Sequence, residues 1–328
     1  MPESESAIGL MILNRNGRRW LPPLYESIRR NGYPNVRVYL VDNSSSDGSV
    51  EATLQDYPEV TVIRMPDNLG YVMAYNVAMP HAFADGCEWV VWANNDILLE
   101  PGCLSELMRA VRSDSQIGVA GPAFLSWSGE EPNYYMKGKH PHLIPEMRAQ
   151  SPVPVEVDWV EGSFLMVRRD VVETVGPLNP HFFIFWEETD YCRRIRYSGK
   201  KVVLVPSARV RHYGGADSAR EIHLKRDWLH RRNYYIYTLT DPRMSFSKNL
   251  AAAAHLFAVN IKSKPNRIHF MFFLELCVFA AVLFRMRTWH RKWMDDRRRI
   301  PPPPLNKRRR EIQPEILFSN AHGTTFAK

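Results

Sequence analysis

The stretch VRVYLVDNSSSDGS, Val36 to Ser49, carries the reading of the whole chain. Val36 to Val41 reads as a short buried strand, and Asp42, Asn43, Ser44, Ser45, Ser46, Asp47 and Gly48 make a polar turn at its carboxyl end. Upstream, Ile8 to Leu13 reads as another buried strand, followed by a helix with Leu21, Leu24 and Ile28 on one face. Downstream, Val60 to Ile63 and Trp89 to Ala93 read as strands with a helix from about Gly70 to Phe83 between them. A helix with Leu104, Leu107, Met108 and Val111 on one stripe then leads to a strand at Ile117 to Ala120. Strands alternating with helices predict an α/β fold with parallel pairing, whose ligands bind beyond the carboxyl ends of the strands. The polar turns after Leu13, Val41 and Ala93 all fall on that edge.

Farther along, Ser126 to Pro154 shows no periodicity and reads as a long surface loop. Strands are expected at Val155 to Val160, Ser163 to Val167 and Lys201 to Val205. An aromatic run, His181 to Trp186, opens a helix from Glu187 to Tyr197. From Arg220 the pattern is helical and basic. Composition is that of a globular protein, 45% hydrophobic and 24% charged. The four cysteines lie far apart with no CxxC pair, so neither a disulfide framework nor a zinc site is signalled. Met1 to Ile8 lacks the basic start and apolar run of a secretion signal, which leads us to expect a cytoplasmic body.

The formal net charge is +8, and eleven basic against three acidic residues between Arg285 and Ile312 account for all of it. A near-neutral body with a basic tail argues against nucleic acid as the partner. Ile268 to Phe284 is mostly apolar but short for a span and contains His269 and Glu275. Trp289 and Trp293 among Arg285, Arg287, Arg291 and Lys292 read as contacts to an anionic membrane surface, with a buried core helix as the competing reading of the apolar segment.

Neither GxGxxG after the first strand nor GxxxxGK[ST] occurs, which disfavours a dehydrogenase or a P-loop NTPase. The strand ends offer carboxylates and amides instead: Asp42 and Asp47, then Asn94, Asn95 and Asp96. Such groups suit a nucleotide's base or ribose and a divalent cation on a diphosphate. Taken alone, Asp42, Asn43 and Ser44 read better as a turn and helix cap, and His212 as a structural histidine. Glu187, Glu188 and Asp190 could be only an acidic first helical turn. The aromatic wall before them would lift a carboxylate's pKa toward that of a general base.

Seven blocks in order resemble the family 2 glycosyltransferases, and within them the bacterial rhamnosyltransferase-like branch. They are MILNRNG at Met11 to Gly17, VDNSSSDGS at Val41 to Ser49, DNLGYVMAYNVA at Asp67 to Ala78, NND at Asn94 to Asp96, EGSFLMVRRD at Glu161 to Asp170, WEETDYCRRIRYSGKKVVLVP at Trp186 to Pro206 and RHYGG at Arg211 to Gly215. The resemblance implies a GT-A fold, a Rossmann-like nucleotide-binding half fused to an acceptor-binding half, here with a helical C-terminal extension. It implies nucleotide contacts from Asn14, Arg15, Asp42, Asn68, Gly70, Asn95 and Asp96, and a divalent metal, Mg²⁺ or Mn²⁺, at Asp96 and His212. Glu188 takes the catalytic base position, with Glu187, Asp190 and Trp186 toward the acceptor. The expected division is 1–219 for the catalytic domain (1–121 nucleotide half, 122–219 acceptor half), 220–300 for the helical extension and 301–328 for a Pro-rich basic tail.

The expected reaction is inverting transfer, first of rhamnose from dTDP-rhamnose, to a glycan or lipid-linked acceptor on the inner face of the cell membrane. UDP-hexose or UDP-galactofuranose donors, and a non-catalytic nucleotide-sugar-binding scaffold, are the alternatives. Three departures stand out: one carboxylate in Asn94-Asn95-Asp96, Glu where many relatives have Asp as the base, and Met73 and Ala74 where relatives often have glycines.

Overall fold

The computed structural model describes residues 6–214, 223–262 and 268–299. Its centre is one mixed sheet in the order β3-β2-β1-β4-β8-β6-β9-β5, with β7 on the flank of β9. The first four members are parallel: β3 (Thr61–Arg64), β2 (Val36–Asp42), β1 (Ile8–Asn14) and β4 (Trp89–Asn94). The apolar runs of β1, β4 and the second half of β2 are buried, as expected for strands covered by helices α1 (Leu21–Arg29), α2 (Ser49–Asp56), α3 (Gly70–Ala84) and α4 (Cys103–Ser113), while the edge strand β3 is only partly covered. On α4, Leu104, Leu107, Met108 and Val111 all face the core.

Beyond β4 the sheet continues with β8 (Phe164–Arg168), antiparallel to both β4 and β6 (Ile117–Leu125). Strand β9 (Lys201–His212) then runs parallel to β6 as far as Val205. Pro206 cannot donate a ladder hydrogen bond, and the register slips there: Pro122 pairs with Val205 but Ala123 with Arg209. The remainder of β9 pairs with the three-residue β5 (Ile97–Leu99), which sets His212 opposite Ile97. Tyr71, Tyr75, Trp92 and Tyr191 form a buried chain of rings through the core, and one body unites both halves.

Two sequence expectations need correction here. Residues 126–154 are not an open loop: α5 (Tyr134–Lys139), a 3₁₀ turn (Pro141–Leu143) and α6 (Ile144–Arg148) bury Met136, Leu143 and Met147. Pro141 and Pro145 start successive pieces, each too short to display a helical period. Of Val155 to Val160, only β7 (Val155–Glu156) is strand, paired with β9. Helix α7 (Arg169–Val175) then precedes α8 (Glu187–Tyr197), the helix that the acidic cluster opens.

The helical C-terminal extension comprises α9 (His223–Leu239), α10 (Phe246–Lys262), α11 (Ile268–Phe284) and α12 (Met286–Arg299). Glu275, the charge in the apolar α11, is fully buried, ion-paired with Arg231 and accepting from Tyr235 Oη at 2.6 Å. Trp289 and Trp293 are buried as well. Their indole N–H groups donate to Val282 O at 2.9 Å and Asp241 O at 2.8 Å, so they dock α12 on the body and are not membrane contacts. Among the described residues no helix is long and apolar enough to cross a membrane. The expected tail, 301–328, lies outside the described residues.

Candidate active site

The carboxyl ends of β1, β2 and β4 are locked together by side chains. Asn14 lies fully inside this frame, its Nδ2 donating to Asp42 Oδ1 (3.1 Å), Ser45 Oγ (3.1 Å) and Ser49 Oγ (2.9 Å). Its Oδ1 accepts from Asn95 Nδ2 at 2.9 Å. A Cβ on Gly17 would come within 2.4 Å of that oxygen and 2.0 Å of Asn95 Nδ2, so only glycine lets the amides meet. Asn14 thus braces Asp42 and Asn95, while Arg15 projects into solvent from the same turn. Asn68 is also occupied internally: its Oδ1 accepts from Asn43 Nδ2 (2.8 Å) and Gly70 N (3.1 Å). Asn43, whose Oδ1 receives Leu69 N at 2.8 Å, ties this turn to the end of β2; the sequence reading named it only as turn chemistry after that strand.

Asp96, the residue before β5, and His212, the last residue of β9, meet because His212 pairs with Ile97. Asp96 Oδ1 is 3.3 Å from His212 Nε2, and both side chains are about 15% exposed. Burial opposes a charged imidazole, but the hydrogen bond and charge of Asp96, with Glu161 farther off, outweigh it and raise the His212 pKa. One carboxylate and one imidazole form a mixed O/N donor pair suited to Mn²⁺ or Mg²⁺ if substrate oxygens and water complete the shell. Among the described residues no three His, Cys, Asp or Glu side chains cluster to hold a metal unaided.

The third component is acidic. Glu188 is half-buried at the start of α8, and burial together with the charge of Glu161 pushes its carboxyl up to about 8, against the backbone N–H groups of Glu188 and Thr189. Glu187 is buried and its pKa is also raised, first by burial and then by Glu188. Glu161 had no assigned role in the sequence reading, although it opens the EGSF block. The segment it begins joins the parts of the site: Ser163 O accepts from Asn94 N at 2.9 Å, and Gly162 O accepts from Tyr71 Oη. A Cβ at Gly162 would lie 3.3 Å from Glu188 Cβ.

Asp190 does not join this cluster. It is fully buried, with Oδ1 bonded to Arg193 (2.8 Å) and Oδ2 to Arg194 (3.0 Å), so it faces the arginines and is closed to solvent. Burial resists its ionisation, and Arg194, Lys292 and Arg193 overcome that, holding its pKa low. Trp186 likewise spends one ring face on Tyr234, 4.5 Å away and nearly parallel.

A mixed sheet of this order, with polar strand ends, an Asp–His pair and a buried acidic cluster, has the architecture of the GT-A glycosyltransferases. Residues 10–176 match the Glycosyl transferase family 2 profile, and the chain belongs to that family. It is 30% identical over 230 residues, 62% of this chain and 74% of the relative, to an N-acetylglucosaminyl-diphospho-decaprenol L-rhamnosyltransferase of Mycobacterium tuberculosis. It is 24% identical over 191 residues, 57% of this chain and 62% of the relative, to the dTDP-rhamnosyl transferase RfbF of Shigella flexneri. Among solved structures, the mannosyltransferase PcManGT of Pyrobaculum calidifontis in complex with GDP-Man and Mn²⁺ aligns with a TM-score of 0.56 at 17% identity, covering 90% of this chain and 86% of that one. S. aureus TarS 1-349 with UDP-GlcNAc aligns with a TM-score of 0.54 at 13% identity, covering 89% of each chain.

Proposed function

We propose that the enzyme is an inverting rhamnosyltransferase that moves rhamnose from dTDP-rhamnose to a hydroxyl of a lipid-linked glycan, with Glu188 as general base. The names of the two curated relatives support the donor and the acceptor class. The observation that carries the base is the Glu188 carboxyl, lifted to about 8 at the mouth of α8 beside Glu161. In its ionised form it takes the acceptor hydroxyl's proton while that oxygen bonds to the anomeric carbon; the bond to the diphosphate breaks, and dTDP leaves with the electron pair. Asp42 and Arg15, on the frame braced by Asn14 and Asn95, hold the base and ribose, with the turn at Asn68 and Gly70 beside them. Asp96 and His212 would hold a divalent cation, which supplies Lewis-acid stabilisation to the departing diphosphate. UDP-hexose and UDP-galactofuranose remain the alternative donors of the same reading.

Residues 1–219 are proposed as the catalytic unit and 220–300 as an extension that seats it on the inner membrane surface. With the tryptophans buried, we assign the proposed membrane contact to α11 instead. There Phe273, Leu276, Ala280 and Phe284 form an exposed stripe opposite buried Glu275, Val278 and Val282. Exposed Arg285, Arg287 and Arg291 continue it with positive charge.

The test is transfer from dTDP-rhamnose to N-acetylglucosaminyl-diphosphoryl-polyprenol, with UDP-sugars in parallel. Glu188→Gln should lower kcat by on the order of 10²-fold or more while dTDP still binds. Full activity in that variant refutes the base assignment, and absence of transfer from every donor favours the scaffold reading.

A further inference from the structure

Glu187 and Glu188 follow two non-glycine residues in the left-handed region, Phe185 (φ 76°) and Trp186 (φ 72°). Non-glycine residues are strained in this conformation, so the turn persists only if its surroundings hold it. The holder is α9. Asn233, fully buried, donates both Nδ2 hydrogens to backbone carbonyls of the turn, Ile184 O and Phe185 O, each at 2.8 Å. Its Oδ1 accepts from Arg232 Nε at 2.9 Å, and the same guanidinium donates to His181 O at 2.7 Å. The ring of His230 stacks on Phe185 at 3.9 Å, and that of Tyr234 stacks on Trp186. From the opposite side Tyr71 N donates to Phe183 O at 2.8 Å, across a Gly70 (φ 76°) whose Cβ would collide with that carbonyl at 2.6 Å. Residues 181–186 are therefore held by α9 and by α3, and the carboxamide of Asn233 binds the two carbonyls of the turn itself.

We infer that Asn233 is a positioning residue for glycosyl transfer: its carboxamide fixes the strained turn at Ile184 to Trp186 and through it the direction in which Glu188 enters the site. Helix α9 thereby belongs to the catalytic unit, although it lies beyond both the segment that matches the family profile and the boundary proposed at 219. The inference rests on Glu188 being the base.

The decisive variant is Asn233→Asp. It keeps the size of the side chain and gives Arg232 a carboxylate partner, which favours folding, but it withdraws both donors from the turn. Transfer from dTDP-rhamnose to the polyprenyl acceptor is measured across pH, alongside dTDP binding by calorimetry and the thermal midpoint. The expected result is a kcat reduced by on the order of 10²-fold, the penalty of a reacting group displaced by about 1 Å. The dTDP dissociation constant should stay within about twofold of the native value, and the acid limb of the pH profile should move as Glu188 leaves its buried seat. A folded Asn233→Asp enzyme with native kcat and pH profile overturns the proposal. So does a loss of activity that only tracks the unfolded fraction and leaves the profile in place. Asn233→Ala, read the same way, covers the case in which the aspartate variant fails to fold. Glu188→Gln runs beside them: if it is inactive while Asn233→Asp is native-like, only the positioning role falls, whereas an active Glu188→Gln removes the base assignment and this proposal with it.

Discussion

As the proposed base, Glu188 must shed its proton before it can accept another, so the direction of its pKa sets the direction of the expected pH profile. With the carboxyl at about 8 in the folded enzyme, kcat/KM should fall as pH drops through that value and level off above it. Glu161→Gln removes the neighbouring carboxylate charge that raises this pKa but leaves the burial, so the midpoint should move down without reaching the ordinary glutamate value. Well below both midpoints, a midpoint lowered by about one pH unit raises the ionised fraction about tenfold. Profiles of wild type and Glu161→Gln, each normalised to its own plateau, test this; coincident curves would detach Glu161 from the base. Asp190 teaches the opposite lesson from the same acidic cluster. Three carboxylates within four residues look alike in sequence, yet two arginines one helical turn away make Asp190 an internal anchor.

At the scale of elements, the helices after β9 are joined by a buried charge. Glu275 on α11 meets Arg231 on α9, and Tyr235 completes the carboxylate. Glu275→Ala leaves the guanidinium buried without its counter-charge and should cost about 3–5 kcal/mol, read as a lowered thermal or denaturant midpoint. A midpoint within error of the native one would show that the pair is not holding α11 on α9. Elements of this kind divide sharply in how far sequence reveals them. Strands β1, β2 and β4 were legible because apolar runs of this length, followed by polar turns, have few other meanings. The three-residue β5 and the proline-started pieces of 134–148 were not, since neither is long enough to repeat. The site divides likewise: Asp42, Asp96, Glu188 and His212 stood in recognisable blocks. Asn233 bears on backbone carbonyls some fifty residues earlier in the chain, a relation that leaves no local pattern. Trp289 and Trp293 misled because an aromatic and basic mixture suits a lipid surface and a helix docking seam equally well.

For the whole molecule, the charge excess and the exposed stripe of α11 lie in the same C-terminal region. Flotation with phosphatidylglycerol vesicles should carry the protein upward, less so at high salt, because the arginines attract anionic headgroups through a screened interaction. Phe273→Ser with Phe284→Ser, both side chains being exposed at 65% and 92%, should abolish flotation without changing the thermal midpoint. Unaltered flotation would assign any membrane contact elsewhere. Such seating would hold the catalytic unit at the surface that carries the proposed lipid-linked acceptor.

Strand β9 also decides where the gene can be divided. One strand pairs with β6, with β7 and, past the slip at Pro206, with β5, while β8 bridges β4 to β6. A fragment ending near residue 121 would expose the full length of β4 as an unpaired apolar edge, an open template for aggregation. The two halves expected from the sequence cannot be expressed apart, grafted singly or recombined between relatives at that point without supplying a substitute for the strands that cross it.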